Sequence, residues 1–245
     1  MRLTDEGNEF LERCRRILDD LEDAQSSIAR STEKPRGRLR VSTPTVTYHL
    51  LIPLLAEFLN RYPEIELDID FNDHRVDLIG LGVDVAIRSG PLSDSRFMSR
   101  PLRAVQMLIC AAPGYLGENG IPESMEDLSG HRAIRFRFPT SGKLQELPLA
   151  LKAGQVEPRL QTVFTCNNME ALRGATISGL GIGCMPDFIA REPLAAGALK
   201  VVLADFVREA NPLSLVWPSS RHLSSKVRVF VDFVGEALAP AARNS

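Results

Sequence analysis

Ile65-Glu66-Leu67-Asp68-Ile69-Asp70-Phe71 alternates apolar and acidic side chains at every step. A period of two marks a strand with one face against a core. Ile65, Leu67, Ile69 and Phe71 point one way, and Glu66, Asp68 and Asp70 the other. Upstream, Leu50 to Tyr62 carries apolar residues at helical spacing, with Leu51, Leu54, Leu55, Phe58 and Leu59 on one face. Leu39-Arg40-Val41-Ser42 reads as a short strand before it. Downstream, Val76 to Leu81 reads as a short helix and Val83 to Ile87 as a nearly all-apolar strand. Strand, helix, strand, helix, strand is the order that builds a parallel sheet covered by helices.

The alternation continues along the chain. Strands are expected near Met98–Leu102 and over Val105–Ala111. Pro113-Gly114-Tyr115-Leu116 opens a helix that Gly117 and Gly120 close, and Ser124 to Leu128 forms another. Ala133–Phe138, Leu147–Leu149 and Leu160–Thr165 read as strands. Asn168 is a candidate N-cap for a helix over Met169–Ser178. Gly179-Leu180-Gly181-Ile182-Gly183-Cys184-Met185-Pro186 is a glycine-rich turn into a buried strand, and Asp187 to Glu192 a short helix. Lys200–Leu203 and Leu213–Trp217 are strands, and Ser224 to Leu238 closes the chain with Val227, Phe230, Val231, Val234 and Leu238 on its apolar face. The pattern predicts two lobes: residues 38–111 with 212–240, and an inserted lobe over 112–211. Pockets in such folds form where the lobes face each other, at the carboxyl ends of strands.

Ahead of the lobes, Leu11, Cys14, Leu18, Leu21, Gln25 and Ile28 follow heptad spacing, with Phe10, Ile17 and Ala24 beside the seam. One helix from Asp5 to Glu33 would be roughly 43 Å long. A stripe of that length calls for a partner helix, most simply from a second copy; the rival reading packs it on its own domain. The segment is acidic, whereas a DNA-reading helix needs an excess of Lys and Arg to displace phosphate counterions. It therefore reads as a protein–protein element. Ser31-Thr32-Glu33-Lys34-Pro35-Arg36-Gly37 ends it and forms a linker, with residues 34–37 as the hinge.

The composition is ordinary for a globular protein: 245 residues, 44% hydrophobic, 24% charged and a formal net charge of −2. That balance argues against a large nucleic-acid-binding surface within these residues. No apolar run approaches the roughly 20 residues of a membrane span. The N-terminus is acidic and amphipathic where a secretory signal is basic and then apolar. The expected location is cytoplasmic. Cys14, Cys110, Cys166 and Cys184 have neither CxxC nor zinc-like spacing and read as free thiols.

Leu3-Thr4-Asp5-Glu6-Gly7 followed by Phe10-Leu11, Gly37-Arg38-Leu39-Arg40-Val41, Leu51-Ile52-Pro53 with Phe58, Tyr62 and Pro63, Val83-Asp84-Val85-Ala86-Ile87-Arg88, and Gly179-Leu180-Gly181-Ile182 with Met185-Pro186 together resemble the LysR-type transcriptional regulators. The match runs in order along nearly the whole chain. It implies an α/β fold in which a long linker helix precedes two Rossmann-like lobes, similar to type 2 periplasmic binding proteins. Residues 1–33 would hold the end of a winged helix-turn-helix and the dimerisation helix, with most of the DNA-binding domain missing. The implied partners are a small-molecule effector and further copies of the chain, as homodimer or homotetramer through Leu11, Cys14, Leu18, Leu21 and Ile28. DNA would be contacted only through the missing domain. No membrane partner and no cofactor are implied. A solute-binding protein of a transporter is the alternative on the same lobes.

Ser42, Thr43, Pro44 and Thr45 lie past the first strand's carboxyl end, before a helix. Hydroxyls and N–H groups there suit an anion, though N-capping explains them equally. In the family this loop lines the effector cleft. Asn72-Asp73 and Arg88-Ser89 follow the next two strands; Arg88 pairs either an acidic ligand or Asp84 or Asp73, and Asp73 reads as structural. Arg135 and Arg137 alternate onto one face, which closes over a ligand or faces water. Asn167 and Asn168 open a helix pointing at the cleft. Ser99 and Arg100 are weaker candidates.

Chemistry beyond binding finds little support. A redox role for Cys166 needs an accessible thiolate and a resolving partner, and Cys184 reads as core. Gly179-x-Gly181 lacks a third glycine and runs from helix to strand, the reverse of a dinucleotide loop. No GxSxG elbow occurs. His49, His74, His131 and His222 have no metal spacing, and His49 reads as partly exposed without a role. No enzyme and no metal site are expected.

Overall fold

The computed structural model describes residues 34–74, 78, 80, 82–90, 95–151, 158–207, 212–219 and 223–239, together with Thr4, Gly7, Phe10, Leu11, Cys14 and Leu18. Two five-stranded sheets carry the described residues. The first takes β1 (Gly37–Thr43), β2 (Ile65–Phe71), β3 (Val85–Ser89), β4 (Phe97–Ala104) and β10 (Pro212–Pro218), in the order β2-β1-β3-β10-β4. β1 runs parallel to β2 from Gly37↔Ile65 to Thr43↔Phe71, and parallel to β3 at Val41↔Val85 and Ser42↔Ala86. β10 returns antiparallel between β3 and β4. The second sheet takes β5 (Met107–Ala111), β6 (Arg132–Phe136), β7 (Gln161–Cys166), β8 (Ile182–Pro186) and β9 (Lys200–Val201), in the order β7-β6-β8-β5-β9. β6 is parallel to β7 and β8, and β5 antiparallel to β8 and β9.

The helices are α1 (Tyr48–Arg61), α2 (Pro113–Asn119), α3 (Met169–Ile177), α4 (Asp187–Ala195) and α5 (Ser225–Ala237). α1 and α5 pack together on the first sheet. Phe58 meets Phe230 edge to face at 5.4 Å and Phe233 at 5.3 Å, and Phe58 and Phe230 are fully buried. Pro53 lies inside α1 and has no N–H to bond the carbonyl of His49 one turn back. The apolar cluster that begins with Leu39, Val41 and Phe58 continues without a break into Met185 of the second sheet and Phe188 and Ile189 of α4. The opposite face of that sheet has its own cluster, around Ile109, Tyr115 and Leu128.

The glycine-rich run is explained by packing. A Cβ on Gly181 would sit 2.4 Å from the carbonyl oxygen of Arg132, and one on Gly183 2.2 Å from Thr176 Oγ1. Those glycines let β8 lie close against β6 and α3.

Several expectations change. The sheets part between Ala104 and Met107, so β5 belongs to the second sheet and not to the lobe that the sequence closes at Ala111. The apolar run Met107–Ala111 is buried against the second sheet's strands, where Ile109 and Ala111 join its own core. Leu147–Leu149 is not a strand; only Leu149 makes an isolated bridge, to Val207. Gly117 lies within α2, and Gly120, at φ +84°, alone closes it. A 3-10 turn over Glu126–Gly130 replaces the helix at Ser124–Leu128. The helix at Val76–Leu81 falls largely outside the described residues; Leu78 and Gly80 are in turns. Gly7, Phe10, Leu11, Cys14 and Leu18 are helical, while Leu21, Gln25 and Ile28 lie outside the described residues.

Candidate functional site

Parallel pairing aligns the carboxyl ends of β1 and β3 on one lobe. Arg88, the fourth residue of β3, reaches back to the end of β1. Its Nη2 donates to Ser42 Oγ at 2.8 Å, and its Nη1 to the carbonyls of Ile87 at 2.8 Å and Ser42 at 3.2 Å. The guanidinium is thus fixed by hydroxyl and carbonyl oxygens; these bonds lead neither to Asp84, which takes the backbone N–H of Arg40, nor to Asp73. Ser89 follows, exposed.

The loop after β1 is tied internally. Asp73 Oδ1 accepts from the Thr45 N–H at 2.9 Å, and the Asn72 N–H bonds the Thr43 carbonyl at 2.8 Å. Thr47 Oγ1 donates to the Pro44 carbonyl at 2.7 Å, so in its 2.5 Å contact with Thr43 Oγ1 the proton comes from Thr43. Ser42 and Thr43 are buried. Pro44 and Thr45 remain half-buried, and a 3-10 turn over Thr45–Thr47 leads into α1. The Thr45 N–H, offered to an anion on sequence grounds, is taken by Asp73.

On the second lobe, β6 and β7 end side by side. The Arg137 N–H donates to the Cys166 carbonyl at 2.7 Å, and the side chain of Arg137 is exposed. Arg135 is half-buried and donates Nε and Nη2 to the Gln145 carbonyl at 3.1 and 2.7 Å. The two arginines therefore do different things despite sharing a strand face. Asn168 caps α3, its Oδ1 accepting from Ala171 N–H at 2.9 Å, and Asn167 beside it is exposed. Burial pushes the Cys166 thiol above its ordinary range, and pushes Cys110 and Cys184 up to about 12.

The two walls meet. The Thr45–Thr47 turn lies against α3. His49 Nε2 donates to Glu170 Oε1 at 2.8 Å. Burial, and then the Glu170 charge, push Tyr48 above its ordinary range, so the hydroxyl keeps its proton. Near the crossover Arg103 of β4 pairs with Asp187 of α4. Arg100 is not brought here: it bonds Asp232 and the Val231 carbonyl of α5, at 2.9 and 3.3 Å, and Ser99 beside it is exposed.

His49 and Glu170 are the residues that sequence reasoning misses. The available signal is positional. Each lies in the first turn of a helix that opens at the carboxyl end of a parallel strand, one on each lobe. Among the described residues no group of three or more His, Cys, Asp or Glu side chains is placed to hold a metal ion. Among them, too, no helix is long and apolar enough to cross a membrane.

The model of the LysR substrate binding domain matches residues 32–239. The chain belongs to the LysR family. The transcriptional regulator CrgA of Neisseria meningitidis serogroup C is 35% identical over 239 residues, which are 96% of this chain and 79% of CrgA. The uncharacterised regulator YhjC of Escherichia coli K12 is 33% identical over the same shares. The solved structure of CrgA, a LysR-type regulator from Neisseria meningitidis, superposes with a TM-score of 0.76 at 34% identity, over 97% of this chain and 80% of that one. The two-lobed α/β effector-domain fold and a role in regulating transcription follow, and these relatives are regulators, not enzymes.

Proposed function

We propose that the chain senses a small anionic effector held between its lobes, and that the bound state biases how paired subunits are arranged. One observation carries this reading. Polar and cationic groups follow the carboxyl ends of four parallel strands, two on each sheet, and the Thr45–Thr47 turn of one lobe packs against α3 of the other. Thr45, Ser89, Arg137, Asn167 and Asn168 supply the exposed and half-exposed polar surface. Ser42, Thr43, Pro44 and Arg88 form the wall behind it, and Arg88 and Arg137 give that surface its positive charge. An anion bound there shifts the lobes only by the difference in its affinity for their two arrangements.

Self-association through the N-terminal helix completes the reading. Phe10 is 70% exposed and Leu18 59%, an apolar stripe that a single copy leaves in water. A second copy seated along Leu11, Cys14, Leu18, Leu21 and Ile28 covers it. Residues 1–33 are read as the end of a winged helix-turn-helix and this dimerisation helix, 34–37 as the hinge, and 38–240 as the two sensing lobes.

Calorimetric titration of the chain with a panel of aromatic and aliphatic carboxylates tests the effector claim. A binder whose affinity falls at least tenfold in Arg137→Ala and in Asn167→Ala supports the site. A binder indifferent to both places the effector elsewhere. Light scattering at micromolar concentration tests the helix: a dimer is expected, and a monomer refutes it.

A further inference from the structure

We propose that Glu170 is a resident carboxylate clamp that holds the two lobes together, gripped by His49 from the first lobe. Glu170 and His49 stand 121 residues apart and belong to different sheets' helices, so their contact is made only by the apposition of the lobes. The donor is arranged in advance. The Tyr48 and His49 rings stack at 4.1 Å, which fixes both side chains at the start of α1. The acceptor is fixed as well. Arg173 Nη1 lies 3.6 Å from Glu170 Oε2 one turn along α3, and that guanidinium is itself anchored to Glu192 at 2.5 Å and to the Ile189 carbonyl at 3.0 Å.

Two features separate this contact from an ordinary surface ion pair, which contributes little. The side chains of His49, Glu170 and Arg173 are only 24%, 27% and 19% exposed, so water screens them incompletely. The carboxylate also sits in the first turn of α3 and is gripped from the first turn of α1. It thus meets the positive end of the α3 dipole, which favours an anion. The clamp does not depend on the identity or charge of an effector.

Hydrogen–deuterium exchange on His49→Ala, Glu170→Gln, Glu170→Ala and the double alanine variant tests the clamp, read across the lobe boundary. Changing Glu170 should speed exchange in the first turn of α1, and changing His49 in the first turn of α3, each by about fivefold. The double variant should add nothing beyond either single one, because both remove the same contact. Circular dichroism verifies folding. Should an alanine variant fail to fold, Glu170→Gln decides alone, since it keeps the shape and removes the charge. Exchange that changes only on the substituted residue's own helix, or single effects that add in the double variant, would overturn the proposal.

Discussion

The two walls of the cleft are built on opposite plans. On the first lobe nearly every polar group described is already bonded: Arg88 to Ser42, Thr43 to Thr47, Thr45 to Asp73. On the second lobe Arg135 holds the Gln145 carbonyl and Asn168 caps α3, while Arg137 and Asn167 carry exposed side chains. The first wall is preorganised and its residues bear on stability. The second presents groups whose removal the fold should barely notice. Residues grouped together by sequence thus divide by how far their hydrogen bonds are already satisfied.

Substitutions followed by urea denaturation should order themselves along that contrast. Arg88→Ala leaves the buried Ser42 hydroxyl and two carbonyls without their donor and is expected to cost about 2–3 kcal/mol. Thr43→Val keeps the shape of a fully buried side chain but strips the hydroxyl from Thr47, and should cost about 1–2 kcal/mol. Asn168→Ala removes the α3 cap, for a loss of about 1 kcal/mol. Arg137→Ala should fall within about 0.5 kcal/mol of the parent. An Arg137→Ala loss as large as that of Arg88→Ala would erase the distinction between the walls. A tight effector effect with no stability effect at Arg137 would sharpen it.

Much of the fold is legible in the chain because its signals are local. β2 occupies Ile65–Phe71 as its alternation predicts, and Asn168 caps the helix it precedes. Leu147–Leu149 misleads because an apolar triplet suits a buried loop as well as a strand; only Leu149 finds a bridge. β5 goes to the second sheet because partner choice across the short Val105–Gln106 connection is a tertiary matter that periodicity does not record. The site is legible in outline, since strand ends before helices mark where polar loops gather. Its wiring is not. Arg88 has acids near it in sequence yet binds the end of β1, and the pairing of His49 with Glu170 leaves no local trace.

The unbroken apolar cluster running from Phe58 through Met185 and Ile189 has a thermodynamic consequence. Two lobes with separate interiors could melt one at a time. Here the loss of either sheet strips side chains that complete the other's interior, so neither melts without exposing its neighbour. The pair is built to denature in a single cooperative transition, and the freedom left to the lobes is one of orientation rather than of independent unfolding.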